Sequence, residues 1–342
     1  MNARTDDDLL QVEDLQVHFA RPRAGLFSAP EVVKAVDGVS FNVRRGSTLA
    51  VVGESGSGKT TTALAVMRLA PVTAGRMRLG DTDLAALSGE ALRQARRRMQ
   101  IVFQDPFSSL NPRQRAGAAV RAPLDLMQVG TPAEREARVA ELFTQVGLRP
   151  EQQHLFPHQF SGGQRQRINI ARALATKPEL VVCDEPVSAL DIAIRAQILN
   201  LLAKLQKDLG LTFLFISHDM AVVEHICDDI AVMYLGQIVE RAPRQAFFAR
   251  PLHPYSVALM SAVPTVGGGR QRAAQRIKLT GDPPSPINPP AGCRFAGRCP
   301  VAVPACAAEL PPLREAAPGH WVRCIRVENH GGQPVAPLAM PA

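Results

Sequence analysis

Gly53-Glu54-Ser55-Gly56-Ser57-Gly58-Lys59-Thr60 decides the reading of this chain, and it matches G-x-x-x-x-G-K-[ST], the P-loop or Walker A pattern. Phosphates carry several negative charges, and a loop holds them only if successive backbone N–H groups turn inward together. Glycines allow this because they lack a Cβ and reach φ > 0 without strain. The helix that follows points its N-terminal dipole at the same anion. Lys59 adds a point charge, and Thr60 offers a hydroxyl to Mg²⁺. The flanks fit: Thr48-Leu49-Ala50-Val51-Val52 predicts a buried strand, and TTALAVMRLA (Thr61 to Ala70) a helix stopped by Pro71. Strand, loop and helix together imply nucleotide binding.

Outward from that loop, composition sets bounds. At 342 residues the chain exceeds a typical single domain, so one large domain with an appendage is expected. The formal charge of +8 admits nucleic acid or an anionic membrane as partner, but a soluble protein with a basic face accounts for it as well. The densest basic run, Arg93 to Arg98 (RQARRR), reads as a helix solvated on one side. No apolar run approaches the roughly 18 residues that span a bilayer. The polar start MNARTDDDLL is unlike a secretory signal, so a cytosolic location is expected unless a partner holds the protein to a membrane.

Residues 9–52 alternate apolar and polar, predicting a small antiparallel sheet that feeds the P-loop strand, with 20–31 as a loop inserted in it. RMRLGDTDL reads as a hairpin, and MQIVF (Met99 to Phe103) as a buried strand ending at Gln104. Residues of about 106–175 turn rich in Pro, Gln, Arg and Ala and predict an inserted, mostly helical subdomain. Strand ELVVCDE, a helix from about Asp191 to Leu209 closed by Gly210, and strand LTFLFIS follow. That alternation argues for an α/β fold with a largely parallel, covered sheet. DIAVMYLGQIVERA reads as a terminal hairpin. The composition shift after about 263 marks a second module over 263–330, and 331–342 reads as a disordered tail.

Leu180-Val181-Val182-Cys183-Asp184-Glu185 is a hydrophobic strand ending in two carboxylates, a Walker B pattern. Asp184 would bind Mg²⁺, and Glu185 would orient and polarise an attacking water, which is a poor nucleophile unaided. Upstream stands Phe160-Ser161-Gly162-Gly163-Gln164. It resembles the LSGGQ signature of ABC (ATP-binding cassette) ATPases, with Phe in place of the usual first Leu. The remaining elements fall in that family's order: Gln104 as the Q-loop glutamine, Ser188-Ala189-Leu190-Asp191 as the D-loop, and His218 as the switch histidine. The resemblance implies the P-loop cassette fold, a RecA-like core with an antiparallel β subdomain and a helical insertion, over about 9–262. It implies ATP contacts from Gly53 through Thr61, Mg²⁺ held at Thr60, Gln104 and Asp184, and catalysis by Glu185 with Gln104 and His218. Phe19 is the candidate to stack on adenine, with Phe27 as its rival. The resemblance further implies that Ser161, Gly162, Gly163 and Gln164, with Asp191, close over ATP bound to a second cassette. That cassette is either identical or homologous.

Two further stretches, Phe156-Pro157-His158-Gln159 and Asp105 to Pro112 (DPFSSLNP), resemble the oligopeptide/dipeptide branch of ABC importers. So does His253 to Pro264 (HPYSVALMSAVP). This implies two membrane permeases as partners, a solute-binding protein acting through them, no nucleic acid, and a place at the cytoplasmic face of the plasma membrane. Another cargo (nickel, opines, glutathione) stays open, as does a soluble nucleic-acid ATPase. Cys293, Cys299, Cys306 and Cys324 are spaced C-x5-C-x6-C-x17-C. Four thiolates suit zinc or an iron–sulfur cluster; the branch resemblance implies [4Fe-4S], with zinc or no metal as alternatives. His320 reads as a packing or surface residue rather than a ligand.

Overall fold

The computed structural model describes residues 7–21, 31–263, 277–330 and 333–340. Phe27 lies outside them. In chain order, β1 (Asp8–Ala20) and β2 (Val32–Arg44) precede β3 (Thr48–Val52), and α1 (Lys59–Val66) follows it. Then come β4 (Ala74–Leu79), β5 (Thr82–Asp83), α2 (Gly89–Arg98) and β6 (Met99–Val102). β1, β2, β4 and β5 form a four-stranded antiparallel sheet in the order β2-β1-β4-β5. Two period-2 stretches of β1 explain it: Leu10 and Val12, then Leu15 and Val17, face the core on either side of a register shift between Val12 and Leu15.

Between β6 and β7 (Leu180–Asp184) there are only helices among the described residues: α3 (Ala116–Leu126), α4 (Pro132–Gln145), two short 3₁₀ turns and α5 (Gly162–Leu174). Their inner faces meet around Val120, Leu142, Phe143 and Ile168. α4 opens with a capping box in which Glu134 N–H donates to Thr131 Oγ1 (3.3 Å) and Thr131 N–H to Glu134 Oε2 (2.7 Å). α6 (Ile192–Leu209) closes at Gly210, whose φ of 65° is left-handed. β8 (Thr212–Ser217), α7 (Met220–Ile226), β9 (Asp229–Tyr234), β10 (Gln237–Pro243), α8 (Arg244–Ala249) and α9 (Pro254–Ser261) complete this part.

The central sheet has eight strands, ordered β11-β12-β10-β9-β3-β8-β7-β6. β9, β3, β8, β7 and β6 are parallel, and β3 lies between β8 and β9. All five residues of β3 and of β7 are buried, as a strand covered on both faces requires. β10 is antiparallel to β9, and it is not terminal. The expected second module is instead joined to this sheet: β11 (Arg314–Ala317) and β12 (His320–Val322) extend it beyond β10, with Glu240 opposite Val322. The join has a polar anchor. Fully buried Glu240 accepts the N–H groups of Leu252 (2.8 Å) and His253 (2.7 Å), and His320 Nε2 lies 2.7 Å from the same carboxylate. His320 is therefore a buried partner of Glu240 rather than a surface group. The expected disordered tail also needs correction, because β13 (Glu328–His330) pairs with β14 (Gln333–Val335), and a two-strand ladder satisfies backbone groups that a coil would leave to water.

The basic run on α2 is less free than its composition suggests. Arg98 pairs with Glu179 (2.5 Å), Arg96 donates to the carbonyls of Met67 and Arg68, and Arg93 donates to the carbonyl of Leu126 (2.6 Å). These guanidiniums tie α2 to its neighbours.

Candidate active site

The P-loop leaves the C-terminal end of β3, where the parallel sheet opens a crevice, and runs into α1. Two of its glycines are required by close approach. Gly53 has φ 153°, and a Cβ there would fall 2.1 Å from the Met233 carbonyl oxygen of β9. Gly58, at φ 103°, would bring a Cβ to 2.3 Å from the carbonyl oxygen of Ala35 on β2. Any other residue would push the loop off both strands.

Lys59 is buried and folds back over the loop, donating from Nζ to the carbonyls of Gly53 (2.9 Å) and Glu54 (2.8 Å), with Ser57 Oγ at 3.5 Å. Burial lowers its pKa, and the nearby carboxylates of Glu185, Asp184 and Glu54 oppose that shift. Thr60, on the first turn of α1, donates from Oγ1 to Asp184 Oδ1 at 3.0 Å. Burial raises the Asp184 pKa; the Thr60 bond opposes this, and the Glu185 charge adds to it.

Glu185 follows β7 with φ 48°, a left-handed conformation uncommon outside glycine. Its N–H donates to the Ile216 carbonyl (3.0 Å), and Ser188 Oγ donates to its carbonyl oxygen (3.0 Å). Held this way, the carboxylate is only 15% exposed and is gripped from two sides. Gln104 donates from Nε2 to Oε2 at 3.0 Å, and His218 Nδ1 lies 3.0 Å from Oε1. Gln104 follows β6 and His218 follows β8, so three neighbouring parallel strands deliver the triad. The surrounding pocket, about 680 Å³, is lined by Gly53 to Gly56 and Gly58 to Thr61 together with Gln104, Glu185 and His218. A loop built for phosphate beside a carboxylate flanked by an amide and an imidazole can hold a nucleotide and steer a water onto its phosphate.

Known proteins agree with this geometry. Residues 36–188 match the ABC transporter family, and residues 239–306 match the oligopeptide/dipeptide transporter C-terminal region. The oligopeptide transport ATP-binding protein AppF of Bacillus subtilis is 47% identical over 326 residues, which is 95% of this chain and 99% of AppF. The chain belongs to the ATP-binding subunits of ABC transporters, in the oligopeptide/dipeptide branch. A Brucella ovis chain, provisionally named a peptide import ATP-binding protein, is 50% identical over 322 residues, covering 94% of this chain and 99% of its own. Among solved structures, the dimeric post-hydrolysis cassette MJ0796 bound to ADP and Pi superposes with a TM-score of 0.60 at 28% identity. That match covers 69% of this chain and 98% of the cassette. This protein is thus an ABC-type ATPase with the cassette fold.

Other expected cassette residues lie apart from the P-loop pocket. Ser161 caps α5 in a capping box with Gln164 (Gln164 N–H to Ser161 Oγ 3.3 Å, Ser161 N–H to Gln164 Oε1 3.0 Å), and Phe160 before it is buried. Neither Ser161, Gly162, Gly163 and Gln164 nor Asp191, at the start of α6, lines the pocket. Phe19, 38% exposed, is also outside the lining, although its cross-strand partner Val33 is within it.

Sequence reasoning missed residues from the C-terminal part of the chain. Leu259 of α9 and Pro286 line the pocket, and Lys34 N–H donates to the Pro286 carbonyl (2.9 Å). Glu54 is held by two such residues. Its N–H donates to Tyr255 Oη (2.7 Å), and its carboxylate is paired by Arg298 (2.7 and 3.1 Å). The stretch HPYS was the only available signal for Tyr255; Arg298 had none.

Cys293, Cys299, Cys306 and Cys324 line one narrow cavity beside His253 and Phe295. Burial pushes the thiols of Cys293 and Cys299 up, and that of Cys324 to about 11. Among the described residues no three His, Cys, Asp or Glu side chains are grouped to hold a metal, so neither the expected [4Fe-4S] cluster nor its zinc alternative finds a metal-holding geometry here.

Proposed function

We propose that this cassette hydrolyses ATP to power peptide uptake through two membrane permeases, working as a dimer of cassettes. The observation carrying the reading is Glu185, held between Gln104 and His218 one residue beyond the Asp184–Thr60 pair. The P-loop and Lys59 bind the phosphates of ATP. Thr60 and Asp184 would hold Mg²⁺, with Gln104 at the same centre; a site completed by phosphates and waters needs few protein ligands, and the ion supplies charge neutralisation. Glu185 accepts a proton from the attacking water while His218 and Gln104 fix its orientation. The Ser161–Gln164 segment and Asp191 stand outside their own pocket, which supports their acting on ATP in a partner cassette, identical or homologous. Dimeric MJ0796 gives a precedent for two cassettes meeting. ATP then bridges the pair, and hydrolysis releases it.

Helices of about residues 106–175 would form the face that docks the permeases, with Gln104 linking docking to the site. Among the described residues no helix is long and apolar enough to cross a membrane. The permeases, which receive cargo from a solute-binding protein, would hold this subunit at the cytoplasmic face of the plasma membrane. The match over 239–306 and the names of the relatives support peptide as that cargo.

Glu185→Gln tests the catalytic reading: turnover should fall by roughly 10²–10⁴ while ATP binding persists. Parent-like hydrolysis would overturn it. Uptake of labelled dipeptides by cells carrying the same variant tests the cargo, and uptake unaffected by the variant would exclude it. We further propose that the four cysteines hold a [4Fe-4S] cluster that staples the C-terminal segment. Anaerobic purification followed by iron, sulfide and zinc analysis decides this, and a folded, metal-free protein rejects it.

A further inference from the structure

We propose that Arg298, carried on the cysteine-bearing segment, is a positioning residue of the ATP site: it neutralises the Glu54 carboxylate and holds it away from the nucleotide's phosphates. The inference rests on the P-loop pocket being the ATP site.

Glu54 is an oddity in a loop that receives a polyanion. Its carboxylate lies close enough to Lys59 to favour the ammonium form, so its charge acts on whatever Lys59 binds. Left alone it would repel phosphate. Arg298 meets it with two parallel N–H donors, NH1 to Oε2 at 2.7 Å and NH2 to Oε1 at 3.1 Å, the planar fork geometry that lysine cannot reproduce. The guanidinium is itself only 9% exposed. It also donates to Tyr234 Oη (3.3 Å) and lies 5.9 Å from the centre of that ring, which fixes its direction. Tyr255 holds the main chain of the same residue through the Glu54 N–H. Side chain and backbone of one P-loop residue are thus both set by residues beyond β10. The Arg298 turn is in turn fixed by the chain around Cys293 and Cys299: Arg298 N–H donates to the Phe295 carbonyl (2.9 Å), and Cys293 N–H to that of Cys306 (2.7 Å).

The effect expected of Arg298→Ala is on affinity. Charge-assisted bidentate pairs are the strong class of hydrogen bond, but Glu54 is 30% exposed and partly screened. We therefore expect the Kd for a fluorescent ATP analogue with Mg²⁺, measured on the full chain, to rise roughly tenfold, about 1.4 kcal/mol. KM for ATP should rise with it, and kcat should change by less than about twofold.

The discriminating variant is Arg298→Ala combined with Glu54→Gln. If Arg298 acts by cancelling the Glu54 charge, removing that charge restores Kd to within about threefold of the parent. Arg298→Lys, which keeps the charge but not the fork, should fall between. A parent-like Kd in Arg298→Ala overturns the proposal. So does a loss that persists in the double variant, because the arginine would then be acting as packing. Should Arg298→Ala fail to fold, Arg298→Lys and the double variant carry the same comparison. Lys59→Ala separates this from the underlying reading: if it binds the nucleotide like the parent, the P-loop assignment itself fails. If it loses binding while Arg298→Ala does not, only the role of Arg298 fails.

Discussion

Replacing Glu240 with Ala should detach the C-terminal strands from the cassette sheet, and the size of the effect follows from its contacts. Glu240 is fully buried on β10, and its carboxylate serves two backbone donors, Leu252 and His253, as well as His320 on β12. Truncation leaves three buried donors without an acceptor, each worth about 1–3 kcal/mol. Removing the carboxylate also removes the desolvation penalty of a buried charge, so the low end applies, about 3 kcal/mol in all. With a urea m-value of roughly 3 kcal/mol/M, the unfolding midpoint should drop by about 1 M. The assay can be made local. The chain has one tryptophan, Trp321, and it lies on β12 opposite Arg241 of β10. Its fluorescence reports the C-terminal join, while far-UV circular dichroism reports the whole cassette. In the parent the two transitions should coincide, because β12 belongs to the central sheet. In Glu240→Ala the Trp321 transition should move first and furthest. A Trp321 midpoint within about 0.2 M of the parent, or separate transitions in the parent itself, would refute the view that these strands belong to the cassette.

His253 is buried with its pKa pushed down to about 3, burial being the main cause and the Arg323 charge adding to it. Since the unfolded value is about 6.5, the neutral ring's contribution is fully present above that pH and is lost as pH falls toward 3. The parent should lose about 2 kcal/mol between pH 7 and pH 5, and His253→Asn, which keeps an N-cap acceptor for α9, should not; equal losses in pH-dependent melts would contradict this. Gly58→Ala would place a methyl 2.3 Å from the Ala35 carbonyl at φ 103°. Nucleotide titration and melting should both show a severe defect, more than about 2 kcal/mol, and a parent-like melt with intact binding would mean that the loop does not need this conformation.

What the sequence disclosed, and what it withheld, divides along a physical line. β3, β7 and β8 were legible because parallel strands covered on both faces must be continuously apolar, and TLAVV, LVVCD and TFLFIS leave no other reading. The P-loop, Asp184, Glu185 and His218 stood out as candidates because each sits at the end of such a strand, and Gln104 because it follows the half-buried edge strand β6 in an order that spacing preserves. β11 and β12 were not. Four and three residues long, they carry no period, and Pro-rich neighbours argue for coil. What makes them strands is a pairing between Glu240 and His320, 80 residues apart, which no local pattern encodes. The Arg298–Glu54 pair spans 244 residues and was invisible for the same reason.

Glu185 shows a different kind of silence. Its side chain was predictable from chemistry, but its backbone is not, because a glutamate at φ 48° violates its own local preference. Conformations of this kind cost of order 1–3 kcal/mol and persist only where surroundings over-determine them. Here the Ile216 carbonyl holds the N–H, Ser188 holds the carbonyl, and Gln104 and His218 hold both carboxylate oxygens. The strained residue thus presents its carboxylate from the end of β7 between side chains that follow the strands on either side, β6 and β8, beside the phosphate loop. Local preference loses at this residue because four contacts from its surroundings outweigh it, as expected where a chain is held for the direction of one side chain.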